Sequence, residues 1–236
     1  MPRPLRRRFR AVVTDVDGTL TDRSRRLDPG AVERVRALED HGIPVVLATG
    51  NVLPIALALH RSLGLSGPIV AENGGILLDT GPDGRERIER LADRRVALRA
   101  FRRLERSGLP VRRLFTDRWR ETEVALAPTV SVARLRAALG AFPITVESTG
   151  FAVHLLEVGA GKLPALTRAL AYRDLTLADC VVLGDGDNDV GMLRAAGFGV
   201  SFASGSARAR RAARYVTRAA YADGFVEGLK ASGVLG

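Results

Sequence analysis

Arg10-Ala-Val-Val-Thr-Asp-Val-Asp-Gly-Thr-Leu20 is the stretch on which the fold turns. Its first half, Arg10 to Thr14, is short, apolar and β-branched, the pattern of a strand buried on both faces of a parallel sheet. Asp15 and Asp17 follow at once, and Gly18 lets the chain turn after them. Acids in that place lie in the loop at the carboxyl end of a strand, where α/β sheets bind ligands. Two carboxylates two residues apart can converge there on a hard cation. An isolated D-x-D-G is just as compatible with a capped turn.

Working outward, strands and helices alternate. Asp28-Pro29 supplies an N-cap and a first-turn proline for a helix through Asp40, closed by Gly42. Pro44–Thr49 reads as the next strand, Val52–Leu63 as a helix and Ile69–Glu72 as a third strand. That βαβαβ rhythm predicts an α/β fold with a doubly wound, mostly parallel sheet. Near Asp79 the rhythm changes, and Thr80-Gly-Pro-Asp-Gly84 is a strong turn signal. A helix over Ala92–Ser107, a strand at Glu121–Ala127, a helix from Ser131 to Gly140 and strands at Ile144–Glu147 and Phe151–Leu156 then predict a small α+β insert. The first rhythm resumes with a helix over Leu163–Tyr172, a strand at Cys180–Gly184, a helix over Val190–Ala196 and a strand at Phe198–Phe202. The division expected is a core formed by 1–80 and 157–236 with an inserted domain over 81–156.

Composition narrows the function classes. The chain has 236 residues, 46% of them apolar, which is ordinary for a globular protein. It contains no apolar run of membrane-spanning length. Met1–Arg10 is basic, but Ala11–Val13 is too short for a signal-peptide core, and the single cysteine, Cys180, fits a reducing cytoplasm. Of the 36 basic residues only Lys162 and Lys230 are lysines, which leaves 34 arginines and a formal net charge of +10. The arginines are scattered, as at Arg94, Arg95, Arg99, Arg102, Arg103 and Arg106, opposite an apolar stripe of Leu91, Leu98, Phe101 and Leu104. With aromatics at 5% there is no base-stacking platform, and nucleic acid is not the expected partner. A positive surface would instead draw in a small anionic metabolite. Where arginine serves almost everywhere, a retained lysine marks a place too tight for a planar fork, so Lys162 is singled out.

Two more clusters sit at strand ends. Gly184-Asp-Gly-Asp-Asn-Asp189 follows an apolar strand and looks at first like a calcium loop. An EF-hand beginning at Asp185 would need Gly and Glu where this chain has Val190 and Ala196, so that reading fails. Ala48-Thr49-Gly50-Asn51 ends the second strand, and its hydroxyl and free N–H groups at a helix start can hold a phosphate. Neither cluster is specific when taken alone.

Together they are. Asp15-x-Asp17-Gly18-Thr19, Thr49, Lys162 and Gly184-Asp185-x-x-Asn188-Asp189, in that order, resemble the four motifs of the haloacid dehalogenase-like phosphatases. Leu47-Ala-Thr-Gly-Asn-Val52 and Gly67-Pro-Ile-Val-Ala-Glu-Asn-Gly-Gly75 look like the archaeal-type phosphoglycolate phosphatases of that superfamily. About seven residues separate Leu20 from the first helix, so the insert falls between Thr49 and Lys162, the family's second type of cap. Two departures stand out: Leu163 follows Lys162 where the family usually has glycine, and Gly186-Asp187 stands where the subgroup more often has Ser-Glu.

The resemblance implies hydrolysis of a small phosphate monoester, 2-phosphoglycolate above all, through an aspartyl-phosphate. It implies Asp15 as nucleophile, Asp17 as acid/base, and Thr49 and Lys162 as catalytic partners. Thr49, Gly50, Asn51, Lys162 and Asn188 would bind the phosphate. Mg²⁺ would be held by Asp15, by Asp17 through its main-chain carbonyl and by Asp185, with Asp189 at or beside the metal. Arg118, Arg120 and Glu121 in the cap are candidates for gripping a substrate carboxylate. A sugar-phosphate or mannosyl-phosphoglycerate phosphatase, a phosphomutase and a non-catalytic binding protein are the competing expectations. His41, His60 and His154 show no metal-ligand spacing, and the oligomeric state is open.

Overall fold

The computed structural model describes residues 9–81, 83–149 and 151–235. Most of the basic N-terminal stretch and Pro82 of the predicted turn therefore lie outside the described residues.

The opening run forms β1 (Ala11–Thr14), fully buried as its composition demands. It is followed by α1 (Pro29–Asp40), β2 (Val45–Ala48), α2 (Leu53–Leu63) and β3 (Ile69–Ala71). Asp28 caps α1 by accepting the Ala31 N–H at 3.0 Å, with Pro29 in the first turn. β4 (Ile76–Thr80) then returns antiparallel to β3, and β5 (Glu86–Arg90) antiparallel to β4.

These last two strands correct the sequence reading. The Thr80–Gly84 turn signal is a hairpin inside the large sheet and not the start of the insert. Sheet membership puts the change of architecture after Arg90, where the sequence reading set it at residue 81. The cause is local: β3 stops at Ala71 because Glu72 and Asn73 both take left-handed backbone, φ 49° and 53°, and Gly74 follows at φ 97°. Three such residues in a row reverse the chain.

The insert comprises α3 (Arg94–Arg106), β6 (Val124–Leu126), α4 (Val132–Leu139), β7 (Ile144–Ser148) and β8 (Val153–Glu157). Its three strands form a separate antiparallel sheet in the order β6-β8-β7. α3 packs on it through Val96, Ala97, Ala100, Phe101 and Leu104. Leu98 sits at the margin of that stripe, and Leu91 packs instead against the core cluster beside the large sheet. Arg95, Arg99, Arg102, Arg103 and Arg106 take the outer side of α3 as expected, whereas Arg94 turns inward to the buried Asp117 and to Glu123 O.

The chain then re-enters the first layer through α5 (Lys162–Ala171), β9 (Cys180–Leu183), α6 (Val190–Ala195), β10 (Phe198–Ser201), α7 (Ala207–Ala212), β11 (Tyr215–Val216) and α8 (Tyr221–Ser232). The eight-stranded sheet runs β11-β10-β9-β1-β2-β3-β4-β5, parallel from β11 to β3. One apolar cluster joins α1 and α8 to one face, and a second joins α5, α6 and α7 to the other. Register does the positioning. Thr14 lies opposite both Leu183 and Leu47, so the segments after β1, β9 and β2 leave the sheet side by side.

Candidate active site

Those segments carry the motif residues. The Asp15 N–H donates to Leu183 O at 3.0 Å, which sets the first acidic loop against the fourth-motif loop. Gly18 has φ 83°, and a Cβ there would run into the Asp185 carboxylate, so the approach of the two loops requires glycine. Lys162 opens α5 and crosses to the same place, its side chain fully enclosed. Its Nζ donates to Asp15 Oδ1 at 2.6 Å and to Asp189 Oδ1 at 2.6 Å. The other oxygen of Asp189 accepts the N–H groups of Asp185 at 3.0 Å and Gly186 at 2.8 Å. Asp189 is thereby committed on both oxygens, whereas Asp15 turns one oxygen to the lysine.

Carboxylate oxygens of Asp15, Asp185 and Asp189 lie within 4.8 Å of one another. Three acids around one ammonium leave negative charge in excess. Burial, together with Asp189 and Asp185, holds the Asp15 carboxyl well above its usual range, against the pull of Lys162. Asp185 is pushed up to about 7 by burial and by Asp189. On Lys162 burial works toward neutrality, but Asp15 and Asp189 outweigh it and hold the proton more tightly than usual. All three shifts have the sign expected of a site short of positive charge. The donor set is all hard oxygen, which suits a Mg²⁺- or Ca²⁺-class ion.

Asp17 points elsewhere. Its Oδ2 accepts Asn51 Nδ2 at 2.7 Å and its Oδ1 faces Arg25, so its carboxylate stands apart from the three that converge. Thr49 is buried, and its Oγ1 accepts from the Asn51 N–H at 3.1 Å and from Asn51 Nδ2 at 3.2 Å, leaving its own proton to donate. A small cleft, with a volume of about 30 Å³ open to water, is lined by Asp15, Asp17, Gly50, Asp185, Gly186 and Asn188 on the core side and by Thr149 and Phe151 on the insert. Of the residues singled out in sequence, Asp15, Asp17, Gly50, Asp185 and Asn188 face this cleft. Thr49, Lys162 and Asp189 back it, and Asn51 reaches it through Asp17.

Several side chains at the junction escaped the sequence reading. Asn73 donates Nδ2 to Glu123 Oε2 at 3.0 Å and accepts Asn188 Nδ2 at 3.0 Å, while its N–H bonds Thr49 O. It ties the second and fourth motifs to the insert from a strained backbone position. Glu72 accepts the N–H groups of Glu121 and Thr122 and, at 2.6 Å, the Thr122 hydroxyl. Glu123 is a buried hub that meets Arg120, His154 and Asn73. Burial would raise its carboxyl, but His154 and Arg120 overcome that and hold it below the usual range. His154 is therefore a fully enclosed member of this network, with Nε2 3.1 Å from Thr149 Oγ1. The one signal for these residues was the Glu72-Asn73-Gly74-Gly75 string, quoted without a role.

The three cap candidates divide differently than expected. Arg120 is buried, paired with Glu123 and bonded to Gly50 O at 3.0 Å, behind the cleft. Arg118 is exposed and lies over Phe115 and Trp119. Glu121 pairs with Arg90. Cys180 is enclosed in β9, and burial pushes its thiol up to about 12, so it is inert at neutral pH.

A buried ammonium between two aspartates, with a third acid beside them at the ends of parallel strands, is the arrangement expected of a hydrolase of the haloacid dehalogenase-like family. The chain belongs to that family, whose sequence profile matches residues 12–108 and 130–229. It is 37% identical over 223 residues to the phosphoglycolate phosphatase of Methanothermobacter thermautotrophicus, covering 94% of this chain and 98% of that one. To the phosphoglycolate phosphatase of Methanoculleus marisnigri it is 38% identical over 227 residues, covering 94% and 96%. A solved structure from Thermoplasma acidophilum matches with a TM-score of 0.85 at 27% identity over 96% of this chain and 99% of that one. A haloacid dehalogenase-like hydrolase from Bacteroides thetaiotaomicron shares the fold, with a TM-score of 0.73 at 20% identity over 96% and 98%. No helix among the described residues is long and apolar enough to cross a membrane.

Proposed function

We propose that the chain is a magnesium-dependent phosphatase of small phosphate monoesters, with 2-phosphoglycolate as its substrate. The observation that carries this reading is the convergence of Asp15, Lys162, Asp189 and Asp185 at one end of the sheet. The cleft is small, and the relatives at 37% and 38% identity are named for phosphoglycolate.

Phosphate monoesters resist hydrolysis because an anion must approach an anion. Asp15 and Asp185 would hold the Mg²⁺, with Asp17 contributing its main-chain carbonyl. When bound, the ion neutralises charge on the phosphoryl oxygens. Asp15 attacks phosphorus with its carboxylate, forming the Asp15–phosphorus bond as the ester P–O bond breaks. Asp17 delivers a proton to the leaving oxygen, then takes one from the water that cleaves the aspartyl-phosphate and restores Asp15. Lys162 stays charged and faces the transferring oxygens, while Asp189 fixes the lysine and the Asp185 loop. Thr49 donates its free O–H, the Gly50 N–H and the second hydrogen of the Asn188 amide complete the phosphate cradle, and Asn51, whose N–H is held by Thr49 Oγ1, shapes the loop. Asn51 also keeps the Asp17 carboxylate off the metal cluster, as acid/base work requires.

The test is a panel of phosphorylated metabolites compared by kcat/KM with Mg²⁺ against EDTA, with Asp15→Asn as the blank. The expected result is metal-dependent phosphate release, fastest for 2-phosphoglycolate and absent in the blank. A sugar phosphate at the head of the ranking would overturn the substrate, and activity in Asp15→Asn would overturn the mechanism.

A further inference from the structure

Resting on that function, we infer that Arg25 is the residue that recognises the substrate's carboxylate. Arg25 lies in the short loop between β1 and α1, held in left-handed backbone at φ 64°. Its Nε and Nη2 both approach Asp17 Oδ1 at 3.3 Å. Its guanidinium carbon sits 4.2 Å from the centre of the Phe151 ring. Asp17 and Phe151 both line the cleft, one from the core and one from the insert. Among the described arginines, Arg25 is the one that contacts two cleft-lining residues.

The contacts leave the group open for a ligand. Both hydrogen bonds converge on a single oxygen and are long for charge-assisted N–H···O bonds. A guanidinium has five N–H donors, so three have no protein partner among the described residues. The side chain is 54% exposed, and the Phe151 face fixes the plane of the fork. A two-carbon acid whose phosphate sits at Asp15 directs its carboxylate outward along the cleft, past Asp17. Arg25 can take it bidentately through those open donors, which Arg120, neutralised by Glu123 behind Gly50, cannot. The arrangement therefore selects phosphate esters that carry a second, carboxylate charge one carbon from the ester.

The experiment compares 2-phosphoglycolate with ethyl phosphate, the same chain with a methyl in place of the carboxylate, in wild type, Arg25→Gln and Arg25→Lys with Mg²⁺ present. The wild type should prefer 2-phosphoglycolate. In Arg25→Gln the ratio of the two kcat/KM values should fall about 10- to 100-fold, mainly through KM, because two charge-assisted bonds are lost. Arg25→Lys should recover part of the ratio, since it keeps the charge and loses the fork. Melting within about 3 °C of wild type is expected, the loop ion pair being exposed. If the wild type prefers 2-phosphoglycolate and Arg25→Gln keeps that ratio, or slows both esters equally, the assignment to Arg25 is overturned and the parent function stands. A wild type that treats the two esters alike overturns both.

Discussion

Replacing Asp185 by asparagine should make the metal-free protein more stable at alkaline pH. Burial and Asp189 push the Asp185 carboxyl up to about 7 in the folded chain, against about 3.9 for a free aspartate. A group whose folded pKa is raised contributes stability that is complete below the unfolded pKa and lost as pH rises through the folded one. The window is therefore pH 4 to 7. A difference of about 3 pH units, at about 1.36 kcal/mol per unit, corresponds to about 4 kcal/mol, of which about 3 kcal/mol falls above pH 5. In EDTA the wild type should lose that amount relative to Asp185→Asn between pH 5 and pH 8. For a chain of this size the gap in melting temperature should widen by about 6–12 °C. Added Mg²⁺ at pH 8 should raise the wild type and leave the variant unmoved, since binding to the folded state alone stabilises it. Calorimetric or circular-dichroism melts at the two pH values read this directly. Parallel curves for the two proteins, or a variant less stable than wild type in EDTA at pH 8, would refute the idea that the acid cluster lacks positive charge.

Asp17→Asn should slow turnover by orders of magnitude while Mg²⁺ still shifts the melting temperature; near-normal kcat would reject the acid/base role. Asn73→Ala leaves Glu123 and Asn188 short of partners in a buried place and should cost about 2–4 kcal/mol in urea unfolding, with kcat falling more than KM rises. Glu123→Gln leaves the Arg120 guanidinium enclosed without a counter-charge and should destabilise by about 3–5 kcal/mol, read from the urea midpoint. With a net charge of +10, kcat/KM for a polyanionic substrate should fall several-fold between about 20 and 300 mM NaCl while kcat holds, as screening shortens long-range attraction.

The catalytic edge was readable because each motif follows an unbroken apolar run, and parallel pairing in register brings the ends of such runs level. Lys162 stood out against the arginine background for a reason the structure makes physical: two carboxylate oxygens, each 2.6 Å away, enclose a point charge. β5 was missed because Glu86-Arg-Ile-Glu-Arg90 has no apolar alternation; an edge strand is protected by its charges and leaves no core-facing pattern. Glu72 and Asn73 were missed as a reversal because left-handed backbone in non-glycine residues has no compositional mark. Arg25 and Arg120 could not be ranked among 34 arginines by spacing. What separates them is enclosure, which only the folded chain supplies.

The grip of Glu72 on the Glu121–Thr122 segment bears on how molecules reach the chamber. That side of the junction is fastened by three donors on one enclosed carboxylate. Where Phe151 lines the cleft, by contrast, the insert meets a half-exposed arginine with a single ring. The enclosed Glu72 bonds would cost more to break than the exposed Arg25–Phe151 contact, so any parting of insert from core is expected to begin at Phe151. Incoming anions would then cross a threshold at which Arg25 is the first charge they meet.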